Sequence, residues 1–206
     1  MKPIRFLLVV LCCLPLSLPV ASGATGDDPR ALVIDTTEKV LARIREQRAA
    51  LDANPRLIDQ VIIDIVLPHF DFTAMAQLVL GKHWRRADAA QREAFVKEFR
   101  DLLVRTYATA LIEYTEEVVE YQPLTMKPGD TEVTVRTEID QPGGLGIPVY
   151  YRMERQEQGW KVYDVTIDGL SLVGNYRNTF ANDIRGGSLD ALIDSLKKRN
   201  LDAHGG

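Results

Sequence analysis

Thiols are missing from almost all of this sequence. Its two cysteines, Cys12 and Cys13, stand within the first two dozen residues, and none follows. Lys2 and Arg5 give that stretch a positive start, Phe6 to Leu18 form an apolar run, and Pro19 breaks it. The small residues Ala21, Ser22, Gly23 and Ala24 come next. That order reads as a secretory leader over residues 1–24, too short to anchor in a bilayer. Cleavage is expected after Ala24, with Gly23 nearly as good a site. A lipoprotein box at Cys12 is the poorer reading, because Leu11 stands where a small residue should precede it and apolar sequence continues past both cysteines. The exported chain then has no disulfide, no thiol nucleophile and no thiolate metal site. Export without cysteine suits a bacterial periplasm better than a eukaryotic secretory route.

Basic excess is also lacking. The chain has 25 Lys and Arg against 29 Asp and Glu, a net charge of −4. Loss of Lys2 and Arg5 with the leader lowers it to −6. An acidic balance disfavours sequence-independent nucleic-acid binding, so no nucleic-acid partner is expected. No segment after the leader approaches the length of a membrane-spanning helix. There is no G-x-S-x-G, no H-E-x-x-H and no P-loop. Beyond the leader the only serines are Ser171, Ser188 and Ser195, and the only histidines are His69, His83 and His204. Ser171 and Ser188 have no histidine near them in sequence, although triads assemble from distant segments.

What is there is apolar periodicity. Asp28 and Pro29 predict a helix start, followed by Ile34, Thr37, Val40, Leu41, Ile44 and Arg48 at helical spacing. Asn54-Pro55 restarts the chain, Leu57, Ile58, Val61, Ile62, Ile65 and Val66 make the next face, and Pro68 should end it. Asp71 is placed to cap a helix Phe72–Leu80 closed by Gly81. Asp88 with Gln91 predicts a capping box ahead of a long helix with the stripe Phe95, Phe99, Leu102, Leu103, Tyr107, Ala110, Leu111 and Tyr114. The period then changes. Val118–Tyr121, Val133–Ile139, Ile147–Met153 and Trp160–Ile167 alternate as strands, separated by Pro128-Gly129-Asp130, Pro142-Gly143-Gly144 and Gln158-Gly159. Two helices, Leu170–Ile184 and Ser188–Asn200, close the chain. The expectation is an α+β domain over residues 25–206, with helices on a roughly four-stranded antiparallel meander. Such layers either pack solid or leave a gap between them, and periodicity alone does not separate the two.

One cluster invites a catalytic or metal reading. His69, Asp71 and His83 flank the helix Phe72–Leu80. At 1.5 Å rise per residue, the two histidine backbones lie about 15 Å or more apart, too far to place both imidazoles about 2 Å from one zinc ion. Asp71 is explained as an N-cap. No metal, no cofactor and no catalytic residue is therefore assigned. Glu116-Glu117 reads as a solvated helix end, and Arg85-Arg86 as surface or as a site for a phosphate or an acidic partner.

Two stretches carry a family resemblance. FDFTAMAQLVLGKHWRRADAAQREAFVKEFRDLLVRTYATALIEY (residues 70–114) and WKVYDVTIDGLSLVGNYRNTF (residues 160–180) together resemble the MlaC family, the toluene-tolerance or Ttg2-type phospholipid-binding proteins of the Gram-negative periplasm. The matching elements include Phe70-Asp71-Phe72, Leu80-Gly81, Trp84 and Gln91-Arg92, then Asp164, Gly169, Asn175-Tyr176-Arg177 and Phe180. The similarity runs from about residue 30 to residue 198. The resemblance implies a deep apolar pocket between helices and sheet that shelters the acyl chains of a glycerophospholipid. It also implies shuttling between an outer-membrane lipoprotein–porin complex and an inner-membrane ABC transporter with an MCE-domain subunit, which maintains outer-membrane asymmetry. A monomer without enzymatic activity is expected.

The family has no short lipid-binding motif, so lining candidates come from facing direction. The strands offer Val133, Val135, Ile147, Val149 and Tyr151. The helices offer Phe72, Met75, Val79, Phe99, Leu103, Tyr107, Val173, Tyr176 and Phe180. Each has ordinary core packing as its alternative role. Arg177 is the candidate for a headgroup phosphate, with a structural ion pair as its alternative. Near Thr179, where relatives often carry Gln or Glu, this chain departs from the pattern. A lipid or ester hydrolase, or a docking adaptor with a solid core, are the competing functions.

Overall fold

The computed structural model describes residues 28–113, 117–141 and 143–202. The leader, Tyr114, Glu116, Pro142 and His204 lie outside the described residues.

Caps written into the sequence set most helix ends. Asp28 accepts from the backbone N–H groups of Arg30 (2.8 Å) and Ala31 (3.2 Å), so α1 runs Pro29–Glu46 with proline at its first position. α2 (Arg48–Ala53) and α3 (Leu57–Val61) follow. The single helix expected up to Val66 is instead three conformations. After α3 the ladder widens to a π-helical turn over Ile62–Val66 and tightens to a 3-10 turn over Leu67–His69. Pro68 lies inside that last turn, where its missing N–H cannot continue an α ladder. Asp71 caps α4 (Phe72–Leu80) through the Ala74 N–H at 2.8 Å, and Gly81 ends it at φ +52°. α5 is Lys82–Arg86. The Asp88–Gln91 capping box is formed in both directions and opens α6, Ala89–Tyr107.

The long stripe expected to run on to Tyr114 breaks after Tyr107, and α7 is a separate turn, Ala110–Glu113. Thr106 Oγ1 donates back to the Leu102 carbonyl at 2.7 Å, the kind of side-chain competition that weakens a helix end.

The strands form one antiparallel sheet in chain order: β1 (Val119–Tyr121), β2 (Glu132–Ile139), β3 (Ile147–Gln156), β4 (Gly159–Ile167) and β5 (Leu170–Ser171). The fifth strand corrects the expectation of a helix from Leu170. Asp168 (φ 48°) and Gly169 (φ 78°) both take left-handed backbone, the two-residue geometry that reverses a hairpin. Ser171 pairs with Thr166 and then caps α8, Leu172–Gly186. α9 is Leu189–Asp202.

Asp164 joins sheet to helix. Its side chain is 2% exposed, accepts from Ser171 Oγ at 2.8 Å and from the Val173 N–H at 3.1 Å, and lies 3.7 Å from Arg152. Removing the carboxylate leaves a buried N–H and a hydroxyl without their acceptor, a cost of about 2–3 kcal/mol. Asp164→Ala is therefore expected to lower the unfolding free energy by that amount, read as a lower urea midpoint at unchanged m-value. A variant within about 0.5 kcal/mol of the parent would show that the α8 start is held by other contacts.

Candidate functional site

Strand pairing sorts the sheet residues by face. Val133 lies opposite Met153, Val135 opposite Tyr151, Thr137 opposite Val149 and Ile139 opposite Ile147. Across the next pair, Val149 meets Ile167 and Tyr151 meets Val165. Paired residues share a face, so these positions make one apolar surface, with Thr137 its polar member. A register shift at Arg152/Met153 inserts one residue into β4 and brings Val162 opposite Met153. Val33 of α1 packs on this face beside Val135, Val149, Met153, Trp160, Val162 and Val165, all buried.

The rest of the same face keeps accessible surface. Val133, Ile139, Ile147, Tyr151 and Ile167 are only partly buried, as are Leu32, Tyr121, Leu124 and Met126 packed beside them. Tyr151 is the informative one. Burial pushes its hydroxyl pKa up to about 12, with Thr137 as hydrogen-bond partner, yet the residue is not fully covered. Tyr151 thus combines crowded surroundings with partial accessibility, beside Val135 and Val165 on the same face. Thr137 is 1% exposed and spends its own proton on the Val149 carbonyl at 2.9 Å, so it adds almost no polarity to the wall.

The helix candidates lie in a second cluster. Met75, Val79, Phe99, Leu103, Val173 and Phe180 are buried among α4, α6, α8 and α9, with Phe72, Tyr107 and Tyr176 packed against them. Met75 and Phe99 are 0% exposed. Phe99 meets Phe95 at 5.7 Å, Tyr176 at 5.4 Å and Phe180 at 5.9 Å between ring centroids, spacings of close aromatic packing. The fourteen expected lining residues are thus in two groups, bridged by Phe70 and Leu172, which touch both clusters. At the rim of the helical group, burial and a hydrogen bond to Tyr176 push the Tyr107 pKa up to about 12.

Arg177 faces neither group. Its guanidinium lies over Gly81, where an added Cβ would come within 3.4 Å of Nη2. It lines a groove of about 730 Å³ with Glu132, Arg152 and Glu154 of the strands. Those strand positions alternate with Val133, Tyr151 and Met153 and so occupy the opposite sheet face.

Asp71, Ser171 and Ser188 have capping roles. Asp71 accepts from Ala74 and Gln156. Burial lowers the pKa of both His69 and His83, aided by Lys161 at the first and Lys82 at the second. Among the described residues no group of three His, Cys, Asp or Glu side chains could hold a metal ion. Ser171 Oγ donates to Asp164 and accepts from the Gly174 N–H at 2.9 Å, and Ser188 caps Ala191 at 3.1 Å.

Among the wall residues not singled out from the sequence, Ile139 and Ile167 are in phase with the apolar alternation and were legible there. Leu124 and Met126 follow Pro123 in a segment with no period to reveal them.

The Tyr151 geometry gives a pH dependence with a definite sign. An unfolded tyrosine ionises near pH 10, whereas the folded one holds its proton to about 12. Stability from this group is intact below pH 10 and falls as pH rises from 10 to 12. Chemical denaturation across that range should therefore show a shallower alkaline decline for Tyr151→Phe than for the parent. Superimposable declines would contradict the burial of the hydroxyl.

With that geometry in hand, the chain can be set beside known proteins. The family model described as MlaC protein matches residues 34–198. The intermembrane phospholipid transport system binding protein MlaC of Haemophilus influenzae is 22% identical over 173 residues, 82% of this chain and 81% of that protein. The toluene tolerance protein ttg2D of Pseudomonas putida is 28% identical over 193 residues, 92% of this chain and 87% of the other. A solved phospholipid-binding protein of Ralstonia solanacearum, in complex with a phospholipid, superposes with a TM-score of 0.77 at 33% identity, covering 85% of this chain and 98% of that one. On the family match and this structural likeness, the chain belongs to the MlaC family of phospholipid-binding proteins.

Proposed function

We propose that this protein is a non-catalytic periplasmic carrier of glycerophospholipid. It shelters acyl chains against the inner face of its sheet and passes lipid between an outer-membrane lipoprotein–porin complex and an inner-membrane ABC transporter with an MCE-domain subunit. In doing so it maintains outer-membrane lipid asymmetry. The observation that carries the reading is the apolar wall of β2, β3 and β4, which remains accessible at Ile139, Ile147, Tyr151 and Ile167. The phospholipid bound by the Ralstonia solanacearum relative supports it.

The energetics of transfer fit such a wall. Each methylene withdrawn from water contributes about 0.8 kcal/mol, so two acyl chains of about 16 carbons carry a gross term of order 20–25 kcal/mol. Crossing an aqueous gap requires shelter of similar quality, and unloading requires that the shelter not greatly exceed a bilayer. An apolar surface whose buried hydroxyls, those of Thr137 and Tyr151, are hydrogen-bonded within the protein meets both conditions. The wall contacts proposed are Val133, Ile147 and Tyr151, joined by Ile139 and Ile167, with Val135 and Val149 buried behind them. The helical group, with Met75 and Phe99 wholly enclosed, takes part in lipid contact only at its partly buried rim, Phe72, Tyr107 and Tyr176. Among the described residues no helix is long and apolar enough to cross a membrane, in keeping with a carrier that moves between membranes.

Native mass spectrometry of the exported protein, purified without added lipid, tests this. A co-purified adduct of phospholipid mass is expected, reduced several-fold in Ile147→Trp with an unchanged far-ultraviolet spectrum. A stably empty protein, or lysophospholipid and fatty acid released on incubation, would contradict the carrier.

A further inference from the structure

The groove on the other sheet face carries an inference of its own, which does not rest on lipid binding. Four cations meet there: Lys82 and Arg85 of α5, Arg152 of β3 and Arg177 of α8. Some helix cations pair within their own helix, Lys39 with Asp35, Arg48 with Asp52 and Lys97 with Asp101. Lys82, Arg85 and Arg177 have no ion pair among the described residues, and only Arg152 approaches a carboxylate, Asp164, at 3.7 Å. Arg85 sits in the last turn of a short helix, where positive charge is favoured, whereas Lys82 is the first residue of that helix. That account does not extend to Arg177, which stands in the N-terminal half of α8. Its guanidinium lies across the bare backbone of Gly81, which draws a cation from one helix to the start of another.

The remaining lining narrows the ligand. Ala74, Leu78, Trp84 and Tyr163 give apolar surface, and Leu78 is 38% exposed. Arg152 stacks over the Tyr163 ring at 4.8 Å. Glu132 and Glu154 line the strand side, where they would repel a dense polyanion or an anionic bilayer. Spaced carboxylates with apolar residues between them satisfy both sets of walls.

The geometry points to this groove as the docking site for an acidic, apolar-interrupted peptide segment of a partner protein, whose carboxylates pair with Lys82, Arg85 and Arg177. In a protein of net charge −4, clustering cations in one concavity directs an acidic partner to that place and orientation.

The test titrates the isotope-labelled full exported protein with a ten-residue peptide alternating Glu and Leu. Inorganic phosphate and phosphatidylglycerol vesicles serve as alternative probes. Amide shifts should concentrate at Ala74, Leu78, Lys82, Arg85 and Arg177. Binding should weaken at least tenfold in Arg85→Glu/Arg177→Glu, recover with a Lys-Leu peptide, and persist in Lys198→Glu. If the double variant misfolds, Arg177→Ala should still weaken binding, and the shift map of the parent protein stands alone as a test. No shifts in the groove, binding indifferent to the charge reversal, or saturation of the same residues by phosphate or by vesicles in preference to the peptide would each overturn the assignment.

Discussion

The pleat of β2, β3 and β4 is the constraint on which the other features depend. Because side chains alternate at every residue, one set of positions builds an apolar wall from Val133, Val135, Tyr151 and Val149. The intervening set, Glu132, Arg152 and Glu154, builds a polar groove on the other side. A slip of one residue would exchange the two surfaces entirely. The single inserted residue in β4 tunes this arrangement. It turns Tyr163 toward Arg152 and Glu132 while returning Val162 to the wall. Asp164, beside the insertion, ties α8 to the sheet and so fixes where Arg177 stands.

The two apolar clusters differ in what they can do. The helical group is filled by its own aromatics, with ring spacings between 5.3 and 5.9 Å, and serves as a rigid support. On the sheet face Val135, Val149 and Met153 are buried, while Ile147 and Tyr151 keep partial exposure. A solid-core adaptor would be expected to close both. The hydrolase alternative loses its most suggestive serine, since both hydrogen-bonding capacities of Ser171 are spent on Asp164 and Gly174.

Much of the fold was legible because its signals are local. Asp28-Pro29, Asp71 with Gly81, and Asp88 with Gln91 each carry their cap within four residues or with one closing glycine, and strand alternation survives in any window of five. What failed to show depends on partners far along the chain. The break after Tyr107 and the π-helical turn before Pro68 are conflicts between local ladders and packing that no period records. β5 appeared as a helix start because Leu170 and Ser171 fit either, and the backbone at Asp168-Gly169 decides. For the site, facing direction named one strand surface, made of Val133, Val135, Ile147, Val149 and Tyr151. It merged that surface with the helical stripe, since a stripe facing a core and a stripe facing a recess are identical in sequence. Arg177 stood out as a cation, but its place on the opposite face needed the register of β2 with β3.

The central claim is that acyl chains lie against the sheet wall and not within the helical cluster. Photo-crosslinking with a phospholipid bearing a diazirine near the end of one acyl chain, read by peptide mass spectrometry, addresses it directly. The account predicts labels on β2, β3 and β4 at wall positions such as Val133, Ile147, Tyr151 and Ile167. Labels concentrated on Phe95, Phe99 and Phe180 would contradict it.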